Sequence, residues 1–218
     1  MTEPSAGLEQ EETEHDVDLI HECVVKMAKE ISDFMDITPD KQRMDSLMVA
    51  ANIRNLSLLE LFYTCVANLC KIMDERGTKI PDEQYHYIKK DDYNKCIYHK
   101  RDMDATERTI VVMKDADILI KICDSTGDFD DTSEYQLLIR LLKERTIIDD
   151  DGSRRLRQKE EVENPSEVLL NPSDPEATFR YKAGGKHLGY VGNIVESVGE
   201  NGSLIIDYDY QQNTYADN

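Results

Sequence analysis

Two hydrophobic periods follow one another along this chain, and their order limits what it can fold into. Between Ser57 and Arg145 apolar residues return at helical spacing, in LLELFYTCVANLC, TIVVMKDADILIKIC and SEYQLLIRLL. From Ala177 the character changes to three β-like runs, ATFRYKAG, KHLGYVGNIVESV and GSLIIDYDYQQ, the last two separated by the turn signal Glu200-Asn201-Gly202. A block of helices followed by a block of strands predicts an α+β fold. Ahead of both, apolar residues at 20, 24, 27, 31 and 34/35 predict a helix from Asp18 to Met35, broken by Thr38-Pro39. The short run RMDSLMVA at 43–50 suits a buried strand.

Local signals set the boundaries. Ser57 with Glu60 is a capping box opening a helix to about Met73, which Arg76-Gly77 closes. Asp104 with Glu107 starts another, to about Cys123, and Asp131 with Glu134 a third, to about Arg145. Residues 81–104, rich in Tyr, Lys and Asp, predict short helices. Residues 149–176 are charged and Pro-containing and predict a surface connection, in which the basic run RRLRQK is offset at once by EEVE. Residues 1–17 are acidic and aperiodic, the composition of a solvated tail.

Composition removes several functions. The net charge is −19, and the seven acidic residues within 1–18 leave −12 for the rest. A chain that grips DNA by itself presents a basic surface, since phosphate contacts supply much of the binding energy. No segment is long and apolar enough to span a bilayer, so no membrane role and a cytoplasmic location are expected. Cys23, Cys65, Cys70, Cys96 and Cys123 show no CxxC spacing, which predicts buried thiols and neither zinc site nor disulfide framework. The five histidines show no ligand spacing. DSTGDFDDTSEY at 124–135 is acidic like a calcium loop, but Phe129 and Tyr135 stand where Gly and Glu are needed, and helix capping explains its polar residues.

One candidate for chemistry survives. Asp45 lies inside the expected core strand, where a carboxylate is costly unless paired or bound to metal. The plain alternative is that it begins the strand, faces water and bonds nearby amides.

RMDSLMVAANIRNLSLLELFYTCVANL at 43–69 resembles the segment of DDE-type insertion-sequence transposases that carries their first catalytic aspartate. LLNPSDPEATFRYKAGGKHLGYVGNIVESVGENGSLIIDYDYQQNTYADN at 169–218 resembles the hairpin that follows in the same enzymes, and the helices ending in SEYQLLIRLLKERTI are similar too. The resemblance covers about Asp18 to Asn218. It implies an incomplete RNase H-like core, first strand plus following β-hairpin, with a large helical insertion at about 57–148, the charged loop at 149–176 and the hairpin at 177–213. Asp45 would be the first of three carboxylates that hold two Mg²⁺ ions, with residues 187–198 and 203–212 as the next two strands. The second Asp, in an ADGAY-type motif, and the final Glu are not found up to Asn218, and residues 1–17 do not resemble the family's N-terminal DNA-binding region. Leu58 and Leu188 stand where the family carries Arg.

The resemblance therefore implies a truncated transposase related to DNA transposition, with transposon-end DNA as the family's partner and without activity or stable Mg²⁺ binding alone. Marginal stability is expected of a sheet lacking its later strands. An alternative is a regulatory fragment that binds intact transposase, or itself, through an uncovered hairpin edge. A neighbouring reading frame that completes the enzyme is a further possibility.

Overall fold

A computed structural model describes residues 18–37, 41–99, 103–182 and 184–214. The expected acidic tail and the Thr38-Pro39 break lie outside them. The described chain mixes helix with antiparallel sheet. It divides into two compact units, one built from the residues up to Leu47 with Gly192–Asp209, the other from Met48–Val191 with the residues from Tyr210 on. Among the described residues no helix is long and apolar enough to cross a membrane.

The larger unit is organised by α2 (Leu58–Glu75). Its capping box forms as read: Ser57 accepts from the Glu60 amide while Glu60 accepts from the Ser57 amide, satisfying two donors that an open helix end would strand. The apolar residues of α2 are too many for a single stripe, and the helix is buried nearly all round. Phe62, Val66, Leu69, Cys70 and Met73 are fully enclosed. Such a helix needs neighbours on several sides. It has them in α4 (Ala105–Thr126) and α5 (Ser133–Arg145), which supply Met113, Leu119, Leu138 and Leu141 to the same core.

α4 also begins with the expected box, Asp104 with Glu107, and ends at Gly127 in the left-handed conformation. α5 departs from expectation. Its N-cap is Thr132, not Asp131, and no side chain caps it, because the Thr132 hydroxyl donates back to the Phe129 carbonyl. The 124–135 stretch is a packed interhelix turn. Phe129 is buried in it under the Arg76 guanidinium, and the Tyr135 hydroxyl donates to Asp124.

The connection at 149–176 is more ordered than a bare surface loop. β2 (Thr146–Ile148) and β3 (Arg154–Leu156) form a small antiparallel hairpin. Two arginines of the basic run are paired with acids: Arg154 with Asp117, and Arg155 with Asp149 and Glu161. Arg155 holds the Glu161 carboxyl down at about 2. Arg140 of α5 donates to the carbonyls of Glu167 and Pro175, and Leu169 fills the core. Arg154 to Arg157 are half-buried, and the charge pattern is silent about the backbone that these arginines tie down.

The larger sheet contains β1 (Lys41–Ala50), β4 (Thr178–Lys182), β5 (Gly185–Gly199) and β6 (Gly202–Gln212). β5 has β1, β4 and β6 as neighbours, and β4 runs antiparallel to it from Thr178 opposite Gly189 to Lys182 opposite Gly185. Gly189 sits at φ +137°, and a Cβ there would come 2.3 Å from the Val49 carbonyl oxygen. Only glycine allows that approach.

In the smaller unit α1 (Leu19–Met35) is capped by Asp18. His21 meets Asp207 at 2.6 Å, and Asn201 donates weakly to the Met35 and Asp36 carbonyls, both at 3.4 Å. Few apolar residues of this unit are buried, Ala28 and Ile37 among them, while Leu19, Ile20, Met27, Phe34 and Met44 are exposed.

These burials predict a contrast. Phe62→Ala should destabilise the chain by about 3–5 kcal/mol through transfer and cavity terms. Phe34→Ala, at a side chain 91% exposed, should stay within about 0.5 kcal/mol. Urea denaturation of the two variants measures both. Gly189→Ala should lower the midpoint of the same transition, since the β1 backbone has no room to yield.

Candidate functional site

Asp45, the one residue singled out from the sequence, does lie in a strand, but not in a core. Lys41 through Asp45 are all exposed, and only Ser46, Met48 and Val49 are half-buried. The reason is local: KQRMD carries one apolar residue in five, so the opening of β1 has nothing to bury, and β1 has β5 as its strand neighbour. The Asp45 carboxylate accepts from the Ser46 amide at 2.9 Å. The next polar contacts along the strand are Ser46 donating to the Asn193 side chain at 2.7 Å and Arg43 paired with Glu196 at 2.5 Å. These two pairs step in opposite chain directions on β1 and β5, the mark of antiparallel neighbours.

Two-metal chemistry needs several carboxylates converging on a pair of ions. Among the described residues Asp45 belongs to no group of three His, Cys, Asp or Glu ligand atoms. A lone exposed carboxylate with one oxygen on a backbone amide does not fit a stably bound Mg²⁺.

The structure instead assembles a cluster that the sequence reading passed over, between α2 and α4. The chain leaves α2, turns at Pro81, and forms a 3₁₀ turn (Tyr85–Ile88), a single helical turn α3 (Asp92–Asn94) and a π-helical turn (Lys95–His99). One oxygen of Asp92 receives three groups: the Tyr63 hydroxyl of α2 at 2.8 Å, His86 Nδ1 at 2.7 Å and Cys96 Sγ at 3.3 Å. Burial works against the Asp92 carboxylate, but the bonds from His86, Tyr63 and Cys96 outweigh it, and its pKa lies below the ordinary value. Burial and the bond to Asp92 push the Tyr63 hydroxyl well above its usual pKa, so it stays a donor. Ligand atoms of His86, Asp92 and Cys96 all lie within 4.8 Å of one another, and all three residues are half-buried.

Two more carboxylates, one on α4 and one in the first turn of α2, accept from tyrosine hydroxyls as well. Asp115 of α4 accepts from the Gln84 amide and the Tyr87 hydroxyl, each at 2.7 Å. Glu60 accepts from Arg54 at 2.5 Å and Tyr93 at 3.0 Å in addition to its capping bond. Tyr63, Tyr87 and Tyr93 are in ring contact, with centroids 5.2 and 5.3 Å apart. The polar network is thus held by aromatic packing.

The cysteines divide accordingly. Burial raises Cys65 and Cys70 to about 12 and Cys123 to about 11, which makes them inert core thiols. Cys23 is exposed and Cys96 stands in the cluster, so the expectation of buried thiols fails for these two. The Cys96 thiol points to Asp92, an arrangement that does not activate it as a nucleophile. His86 and Cys96 went unnoticed in the sequence because their spacing, His-x5-Asp-x3-Cys, matches no regular ligand pattern. Only the succession of 3₁₀, α and π turns closes it.

No family profile, curated protein or solved structure matches this chain.

The depressed Asp92 pKa makes the network's stability depend on pH. Its contribution to stability is fully present above the ordinary carboxylate value of about 4 and is lost as pH falls through the folded-state pKa. Asp92→Asn should therefore melt below the parent protein at pH 7, with the gap closing as the pH is taken below about 4. A gap that stays constant in thermal melts with chelator present would remove charge from the account of this network.

Proposed function

We propose that this chain is a DDE-type transposase polypeptide, that it carries the opening strands of an RNase H-like catalytic region, and that residues 1–218 do not cut DNA alone. The observation that carries the reading is the pairing of β1 with β5. The two stretches that resemble the family, one holding Asp45 and the other KHLGYVGNIVESV, lie far apart in sequence, with the helical block between them. They nevertheless form neighbouring strands, and β6 pairs with β5 in turn. A first, second and third strand meeting in that order, with helices inserted after the first, is what the resemblance leads one to expect. The exposed Asp45 carboxylate supports the same reading, since among the described residues no ion pair engages it and it stands available to a metal ion. The acidic composition supports the lack of autonomous DNA cutting.

Grafting tests this directly. Residues 41–214 placed in the corresponding region of an active DDE transposase should preserve Mg²⁺-dependent cleavage at transposon ends, and Asp45→Asn in the graft should reduce it to background. The isolated chain should leave the same DNA intact in Mg²⁺ or Mn²⁺. A graft indifferent to Asp45→Asn, or cutting by the isolated chain, would refute the proposal.

A second reading is favoured by the apolar side chains exposed on α1 and β1, above all Phe34, Ile20, Leu19 and Met44. They suit a chain that binds intact transposase, or a second copy of itself, and thereby regulates it. A pull-down against the full-length enzyme and light scattering of the isolated chain distinguish the two partners. Absence of both complexes disposes of the idea.

A further inference from the structure

We propose that His86, Asp92 and Cys96 form a binding site for one divalent transition-metal ion, with Zn²⁺ the best match. The inference is independent of the transposase reading.

The donor set decides the class of ion. An imidazole nitrogen, a carboxylate oxygen and a sulfur are the mixed, borderline-soft ligands that Zn²⁺ accepts. Mg²⁺ and Ca²⁺ require mostly oxygen, of which this group offers a single carboxylate.

The geometry is close to what such an ion needs. Ligand atoms of all three residues lie within 4.8 Å of one another. Tetrahedral zinc, with bonds of about 2.0–2.3 Å, sets neighbouring ligands about 3.3–3.6 Å apart. The Cys96–Asp92 separation of 3.3 Å is near that range, and the His86–Asp92 pair at 2.7 Å must open by about half an ångström. Side-chain rotation at His86, 34% exposed, can supply it.

Two features of the surroundings favour occupancy. His86 and Cys96 both line a small cavity of about 40 Å³, shared with Met103, which is room for a water as fourth ligand. Tyr63 already donates to Asp92 and is itself buried on α2, so the carboxylate is held in place in the manner of the outer partners that support metal ligands. Cys96 also belongs to a π-helical turn, a distortion that recurs at functional sites.

Binding has a simple proton balance. Asp92 is already ionised, and His86 would bind through Nδ1 as the tautomer that keeps its proton on Nε2. The Cys96 thiol gives up its proton to solvent as the sulfur–metal bond forms, so one proton leaves for each ion bound. The ion would tie the segment between α2 and α4 to a single point.

Cobalt is the probe, because a thiolate ligand gives Co²⁺ a charge-transfer absorption that oxygen and nitrogen ligands do not. The full chain, reduced and stripped with chelator, should bind one Co²⁺, develop that band and lose it when Zn²⁺ is added. Cys96→Ser should abolish the band, His86→Gln should weaken binding at least about tenfold, and Cys23→Ser should change neither. Zn²⁺ should raise the melting temperature of the parent chain and not that of Cys96→Ser, with far-UV circular dichroism confirming that each variant is folded. Absence of a stoichiometric band in the parent, or a band that survives Cys96→Ser or His86→Gln at undiminished affinity, overturns the proposal.

Discussion

Burial of α2 is the constraint on which the larger unit depends. A helix with Leu61, Cys65, Leu69, Val66, Tyr63 and Ala67 all buried cannot be satisfied by one neighbour, because those side chains point around well over half of its circumference. α4 and α5 must both pack on it, and the segments that connect them must bridge between the same surfaces. The polar groups beside α2 follow from this arrangement. Once Tyr63 and Tyr87 are packed inward, their hydroxyls need acceptors, and Asp92 and Asp115 supply them. Asp92, fixed by Tyr63, then becomes the point on which His86 and Cys96 converge.

The smaller unit obeys a weaker version of the same physics. Its helix α1 is amphipathic, yet most of its apolar residues remain in water, and polar contacts such as His21 with Asp207 and Arg43 with Glu196 are what the unit shows most clearly. Exposed ion pairs contribute little to stability. An apolar face that remains exposed is the physical ground for the partner proposed above.

The proposed function and the proposed metal site lean on different residues. Asp45 matters because it is exposed on a strand that pairs with β5. His86, Asp92 and Cys96 matter because they are gathered and half-buried.

By itself the sequence determined the elements. The helical period of α1, α2, α4 and α5, the capping boxes at Ser57 and Asp104, and the strands and turn around Glu200-Asn201 are local properties, set by spacing and by hydrogen bonds within a few residues. Tertiary structure decided the rest. The exposure of Asp45 depended on which strand β1 would meet, the ordering of 149–176 on arginines finding carbonyls and carboxylates elsewhere in the chain, and the cap of α5 on a backward bond from Thr132. The gathering of His86, Asp92 and Cys96 depended on turns whose spacing follows no single period. Each is a contact between groups whose separation only the folded backbone sets, and hydrophobic periodicity carries no information about it.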